Sequence, residues 1–162
     1  MFDSMISLNT FNREYLKWML DGIPDKELDS TFGEGSHSAR WILVHLAIAV
    51  DYGFKQLDQK TAASKIWHRA YGPGSSPSSN AEIRPSKEEL LKFIDEQYPK
   101  LCAAAVAFDS TKLNVPHQVK LLESMPIKTK ADLVGHILTT HFSVHLGQLS
   151  TWRRMVGLPH LF

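Results

Sequence analysis

Large apolar residues recur every three or four positions along four stretches of this chain, and this spacing restricts the fold more than any other feature. In the first stretch, Leu8, Phe11, Tyr15 and Trp18 fall on one face if the segment is helical. No stretch shows the alternation of apolar and polar residues that is typical of a strand. The sequence therefore predicts an all-α protein, and an up-and-down four-helix bundle is the natural way to bury four apolar faces.

Capping and stop residues limit the four predicted helices. Serine or threonine N-caps favour the last three starts, and glycine followed by proline favours the first and last stops. The predicted helices run from Leu8 to Asp21, from Ser36 to about Gln59, from Ser86 to Val106 and from Thr129 to Gly157. Pro99 lies inside the third helix, so we expect a kink there or a break into two pieces.

Two long connections are predicted to be irregular. Residues 66–85 are rich in Gly, Pro, Ser and Asn, and residues 109–128 contain Pro116 and Pro126. Loops of this length in a compact protein are mobile or functional, so we expect them to shape the mouth of any cavity. The apolar faces of the four predicted helices predict a core that consists of Phe11, Tyr15, Trp18, Trp41, Ile48, Phe93, Ile137, Val144 and Trp152.

Composition excludes several classes of partner. With 162 residues, of which 43% are hydrophobic, the chain fits one globular domain over residues 1–162. The net charge of +1 argues against nucleic acid and anionic lipid as partners. No stretch is apolar enough to span a membrane and no leader is recognisable, so a cytoplasmic location follows by default. A homodimer is compatible with the sequence, which does not determine the oligomeric state.

Two of the eight histidines, His141 and His145, are four residues apart in the fourth predicted helix. Both imidazoles can then reach one ion, and they share the inward face with Ile137 and Trp152. A buried histidine with an ordinary hydrogen bond is nevertheless commoner than a metal ligand. Spacing alone does not select a third ligand from the other six histidines.

Two motifs carry a resemblance to the DinB/YfiT-like superfamily. The first is Trp41-Ile-Leu-Val-His45 in the second predicted helix, and the second is His141-Phe-Ser-Val-His145-Leu-Gly-Gln148 in the fourth. The stretch from Ile23 to Leu28 is also similar to that family, so the resemblance spans most of the chain. It implies a four-helix bundle in which His45, His141 and His145 bind one divalent metal ion, with zinc and nickel both suited to imidazole.

The other histidines are given ordinary roles. His37, His68, His117 and His160 fall in predicted loops or at chain ends, where a solvated imidazole needs no further explanation. His136 is five residues before His141, which turns it about 140° away on a regular helix. Gln148 lies one turn beyond His145 and is a candidate for orienting a ligand or substrate, although a hydrogen bond to a neighbouring helix is its commoner role.

Three histidine ligands leave a coordination position open, and an open position is typical of a catalytic ion. Such an ion can lower the pKa of water, deprotonate a thiol or polarise a carbonyl. The resemblance implies the same range of chemistry, including transferases that use low-molecular-weight thiols and proposed hydrolases. We expect a metal-dependent transferase or hydrolase acting on a small molecule. The alternative is a non-catalytic stress-response module in which the ion and its pocket only hold a ligand.

Overall fold

Helices provide the regular structure throughout the part of the chain that the computed structural model describes, residues 2–33, 35–75, 83–159 and 161. The α-helices are α1 (Asp3–Leu20), α2 (Ala39–Gln56), α3 (Lys65–Tyr71), α4 (Lys87–Ala107), α5 (Lys130–Leu138) and α6 (Thr140–Met155). Within these described residues there is no strand, only an isolated antiparallel bridge between Pro116 and Thr129. The prediction of an all-α fold is confirmed.

The second helix, α2, is the centre of the fold. Almost every one of its residues is buried, and it packs against α3, α4, α5 and α6. Its N-cap is Ser38, whose side-chain oxygen accepts a hydrogen bond from the backbone N–H of Trp41. The predicted start at Ser36 is therefore slightly early. Because α2 is enclosed on all sides, a polar side chain in its middle is withdrawn from water.

The helix predicted from Thr129 to Gly157 is broken at Thr139. The prediction of one continuous helix is therefore wrong. The predicted cap at its start is correct, since Thr129 and Asp132 form a reciprocal capping box. Thr139 has φ −126° and ψ −83°, outside the helical region, and ends α5. Its hydroxyl donates to the carbonyl of Gly135 at 2.7 Å, a side-chain bond that competes with regular helix geometry.

Two further expectations about the helices need correction. Helix α4 runs unbroken through Pro99, so the predicted break into two pieces does not occur. Tyr98, fully buried beside this proline, donates to the carbonyl of Leu46 at 3.0 Å and holds α4 against α2. The first long connection is also less irregular than predicted, because α3 occupies its beginning with Ser64 as N-cap. Residues 76–82 of that connection lie outside the described residues.

The predicted core is correct only in part. Trp41, Ile48, Ile137 and Trp152 are buried, and Tyr15 and Phe93 are partly buried against the same core. The other three members of the predicted core are exposed at the surface: Phe11 (57%), Trp18 (54%) and Val144 (59%).

The exposure of Phe11 and Trp18 follows from polar residues on the opposite face of α1. The side-chain amide of the fully buried Asn9 donates to the carbonyl of Leu138 at 2.9 Å, at the end of α5. One turn further, the amide of Asn12 donates to Ser143 at 3.2 Å. A buried carbonyl at a helix end is costly without a partner, so these bonds favour the asparagine face of α1 inward. The same face carries the fully buried Leu16 and Met19, which leaves the aromatic stripe outward.

Among the described residues, none of the helices combines the length and the apolar character needed to cross a bilayer.

The orientation of α1 in the structure predicts that a Leu→Ala substitution lowers the free energy of unfolding by different amounts at two positions. Leu16→Ala removes a fully buried side chain and should lower the free energy of unfolding by about 2–5 kcal/mol. Leu8→Ala, on the same helix but 54% exposed, should change it by about 0.5 kcal/mol or less. Urea unfolding of both variants measures the difference, and equal costs would show that the face of α1 is assigned wrongly.

Candidate metal centre

The structure brings together the three histidines that the resemblance implied. His45 comes from the middle of α2, and His141 and His145 come from the first turns of α6. One ring nitrogen of each lies within 4.8 Å of the others. The Nε2 atoms of His45 and His141 are 3.3 Å apart, close to the separation of about 3.3 Å between two imidazoles on a tetrahedral zinc ion. These three residues could therefore hold one metal ion.

Two of the three rings are oriented by hydrogen bonds from their outer nitrogens. Nδ1 of His45 donates to the backbone carbonyl of Tyr71 at 2.9 Å, and Nδ1 of His145 donates to Oε1 of Gln148 at 2.8 Å. Both acceptors are oxygens, so Nδ1 carries the proton in each ring. The Nε2 lone pairs are then left for an ion, which is the usual arrangement of histidine ligands.

The imidazole of His141 has a ring nitrogen that no other described group of the protein pairs with. Its Nε2 faces the lone pair of His45, and its buried Nδ1 has no hydrogen-bond partner among the described residues. A neutral imidazole has one proton, so either two lone pairs face each other or a buried lone pair stays unpaired. An unpaired buried polar atom costs about 1–3 kcal/mol. A cation between the two Nε2 atoms removes the conflict there, so the residues fit a metal ion.

Burial keeps all three imidazoles neutral near pH 7. Desolvation is the largest cause, and it lowers the pKa of His45, of His141 and of His145 below the ordinary value. The pKa of His145 falls to about 4, and repulsion from the other rings adds to the effect. Neutral histidine is the form that binds metal, so the ligands need not lose protons first.

The carbonyl that orients His45 is positioned by a buried carboxylate. Asp51 is fully buried on α2 and accepts from the backbone N–H of Ala62 at 2.7 Å. Its other oxygen lies 2.6 Å from Nε2 of His68 on α3. These contacts fix α3 against α2, which places the carbonyl of Tyr71 beside His45. The sequence does not reveal this role, because a backbone acceptor leaves no motif. Ser64, whose side chain accepts from the N–H of Trp67, is a sequence sign of the start of α3.

The remaining described histidines are less solvated than predicted. His37 stacks on Trp41 with ring centres 3.6 Å apart, and its Nδ1 is buried. His117 is buried, and its Nε2 lies 2.9 Å from the carbonyl of Ile127. None of these, nor His68, joins the three-histidine cluster. His160 lies outside the described residues.

His136 is not part of the three-histidine cluster, in agreement with the expectation that one ion does not bind both His136 and His141, but its ring does not point away from His141. Their ring centres are 5.5 Å apart, and both rings line one cavity beside the cluster. The prediction assumed a regular helix through both residues, whereas the break at Thr139 changes the angle between them.

The cavity beside the cluster measures about 240 Å³. His45, His136 and His141 line it together with mostly apolar side chains from α2 and α5. The two long connections also contribute, through Pro73 from the first and Val119 and neighbouring leucines from the second. The site therefore has open space next to the histidines rather than packed side chains.

The fold and the site together define an all-α protein with a buried three-histidine cluster that could hold a metal ion. The sequence profile of the DinB superfamily matches residues 9–149, so the chain belongs to the DinB superfamily. This confirms the resemblance stated from the two motifs. No curated protein matches the sequence.

The lowered pKa values predict that the metal-free protein loses stability in mild acid. Unfolded histidine takes up a proton below about pH 6.5, whereas the buried rings resist protonation until the pH is lower, so the unfolded state binds more protons. The free energy of unfolding should fall between pH 6.5 and pH 5, and His145, whose pKa is about 4, should contribute a slope of at most about 1.4 kcal/mol per pH unit. Urea unfolding measures it, and His145→Gln should show a shallower slope. Identical slopes would mean that His145 is not buried as a neutral ring.

The bond from His145 to Gln148 predicts a measurable effect on metal affinity. Gln148→Ala removes the acceptor for Nδ1 and should weaken zinc binding by about 10- to 100-fold without unfolding the protein. Gln148→Glu keeps an acceptor oxygen and should bind zinc at least as tightly as the wild type. Competition with a chromophoric chelator measures both affinities. If both variants bind like the wild type, Gln148 does not support the ligand.

Proposed function

We propose that this protein is a metal-dependent enzyme that acts on a small molecule, with His45, His141 and His145 holding one divalent ion. The observation that carries the proposal is the combination of a three-histidine cluster with a cavity of about 240 Å³ directly beside it. Three protein ligands with open space next to them are typical of catalytic ions, whereas structural zinc sites have four protein ligands. Zinc and nickel both suit imidazole ligands.

An ion in this site would act as a Lewis acid that lowers the pKa of water or of a thiol and polarises a carbonyl. The protein orients the ligand rings and excludes water from part of the site. Tyr71 and Gln148 hold two of the rings in the tautomer that presents Nε2. Trp41 stacks on His45 with ring centres 4.6 Å apart and forms part of the cavity wall. Trp41 and Tyr71 are buried and keep bulk water from the ligands on that side, which strengthens electrostatic interactions within the site.

The reaction we favour is a transfer to or from a low-molecular-weight thiol, with hydrolysis as the second possibility. Known reactions in the superfamily support the first, and the apolar cavity suits a small, weakly polar co-substrate. In this proposal α1, α2, α4 and the α5–α6 pair are the four helices of an up-and-down bundle. The fourth helix, broken at Thr139, contributes two of the three ligands.

A non-catalytic binding module is the competing proposal. It is favoured by the lining of the cavity, because no carboxylate or lysine is found among the described residues that line it. The two proposals differ in one observable. An enzyme converts thiol and electrophile, or an ester, in a metal-dependent reaction, whereas a binding module shows saturable affinity for small molecules without turnover.

The assignment of the metal ligands predicts which histidine substitutions weaken zinc binding. His141→Ala and His145→Ala should each weaken zinc binding by more than the roughly 10- to 100-fold expected for Gln148→Ala, because each removes a ligand. His117→Gln is the matched control, because His117 is buried outside the cluster, and it should bind one zinc ion per chain like the wild type. Metal analysis after dialysis checks the prediction, and unchanged zinc content in His145→Ala would refute it.

The enzyme proposal is tested by turnover with and without metal. Wild-type protein loaded with zinc or nickel is assayed for thiol transfer to a panel of electrophiles and for ester hydrolysis. At least one reaction should exceed the rate of the metal-free protein and of metal-loaded His141→Ala. Saturable binding without any metal-dependent turnover would favour the binding module.

A further inference from the structure

The break between α5 and α6 places a fourth histidine in the cavity of the candidate metal centre. On a regular helix, residues five apart point about 140° away from each other. Here the rings of His136 and His141 meet edge to face, with centres 5.5 Å apart and planes at 74°. His136 and the two ligands His45 and His141 therefore line the same cavity.

One ring nitrogen of His136 forms a hydrogen bond within the protein, and the other ring nitrogen does not bond to any described residue. Its Nδ1 lies 2.7 Å from the hydroxyl oxygen of Thr140, the first residue of α6. Its Nε2 makes no hydrogen bond to the residues that the structure describes, and the side chain is only partly buried. The contact with Thr140 restricts rotation of the ring, so the second nitrogen is a positioned hydrogen-bonding group.

The cavity offers few polar groups besides His136. If His45 and His141 hold an ion, their nitrogens are not free for a substrate. Among the described residues that line the cavity, Tyr52 carries a hydroxyl, whereas the indole N–H of Trp41 already donates to Ser75 at 3.1 Å. The rest of the described lining is apolar, including Ile48, Leu133 and Ile137.

The size and lining of the cavity limit what it accepts. A volume of about 240 Å³ is below the range of about 300–1,000 Å³ usual for sites of drug-sized ligands. The described lining carries no acidic or basic side chain other than histidine, so a charged group away from the ion would be buried without a partner. The part of the cavity that borders the histidines therefore suits a compact, uncharged, largely apolar group. An adjoining cavity shares Tyr52 with it and is lined by Lys55, Lys120 and Lys130, so a charged group fits only on that outer side.

We propose that His136 is the substrate-positioning residue of this site, and that the substrate is a small apolar molecule with two polar groups. One group reaches the ion, and the other accepts or donates a hydrogen bond at Nε2 of His136. This inference rests on the proposed function, and it adds a residue and a substrate class to it. The two fixed points would hold the molecule in one orientation across the apolar cavity.

Matched pairs of small thiols test the second contact by binding alone. The protein is loaded with cobalt(II), whose absorption shows that the site is filled. Each straight-chain thiol of two to four carbons is then compared with the thiol of the same length that carries a terminal hydroxyl, by calorimetric titration. In the wild type, the best-fitting hydroxythiol should bind about five- to tenfold more tightly than its alkyl partner, the gain expected from one hydrogen bond.

Three variants assign that gain to one residue. His136→Leu should bind both members of the pair equally while keeping the alkyl-thiol affinity and the cobalt spectrum. His136→Gln keeps a hydrogen-bonding group and should retain part of the preference. Tyr52→Phe is the control for the other polar group and should retain the whole preference.

The outcomes separate this inference from the proposed function. No preference at any chain length in the wild type, or an unchanged preference in His136→Leu, would overturn the role of His136. Loss of the preference in Tyr52→Phe alone would assign the contact to Tyr52 and also overturn it. If no thiol of either kind binds to the cobalt-loaded protein, the role of His136 and the thiol-transfer reaction both fail, and hydrolysis is the reaction left to the proposed function.

Discussion

Three neutral imidazoles, removed from water and packed against one another, are the constraint on which the rest of this structure depends. The ring centres of His45, His141 and His145 lie 4.6–5.3 Å apart. A proton on any one ring would place a charge beside two others in a poorly solvated environment, which is why the pKa of each is lowered. Such a cluster is costly to build from protein alone, and a shared cation compensates for the buried nitrogens.

The break at Thr139 connects the fold to this cluster. It leaves the carbonyl of Leu138 to be satisfied by Asn9, which lies on the same buried face of α1 as Leu16 and Met19. It also changes the angle between α5 and α6, so that His136 and His141 line one cavity. The break thus accounts for the fourth histidine in the cavity. Unusual backbone geometry is often found at functional sites, where it brings together side chains that a regular helix would separate.

The sequence was sufficient for the features that depend on local pattern. Apolar spacing and capping residues predicted the all-α fold and most helix limits, and the two motifs identified the superfamily and the three clustered histidines. The features that it did not predict depend on contacts distant in the chain. The inward face of α1 includes Asn9, whose partner is the distant carbonyl of Leu138, and the role of Tyr71 belongs to a backbone carbonyl. The angle between His136 and His141 depends on a break that the Thr139–Thr140 pair alone did not predict.

X-ray absorption of the zinc-loaded protein tests the central claim most directly, because it reports the atoms around the ion. The account predicts one zinc ion per chain, with three imidazole nitrogens at about 2.0–2.1 Å and at least one further light-atom ligand. A shell containing sulfur at about 2.3 Å, or one with fewer than two imidazoles, would contradict it.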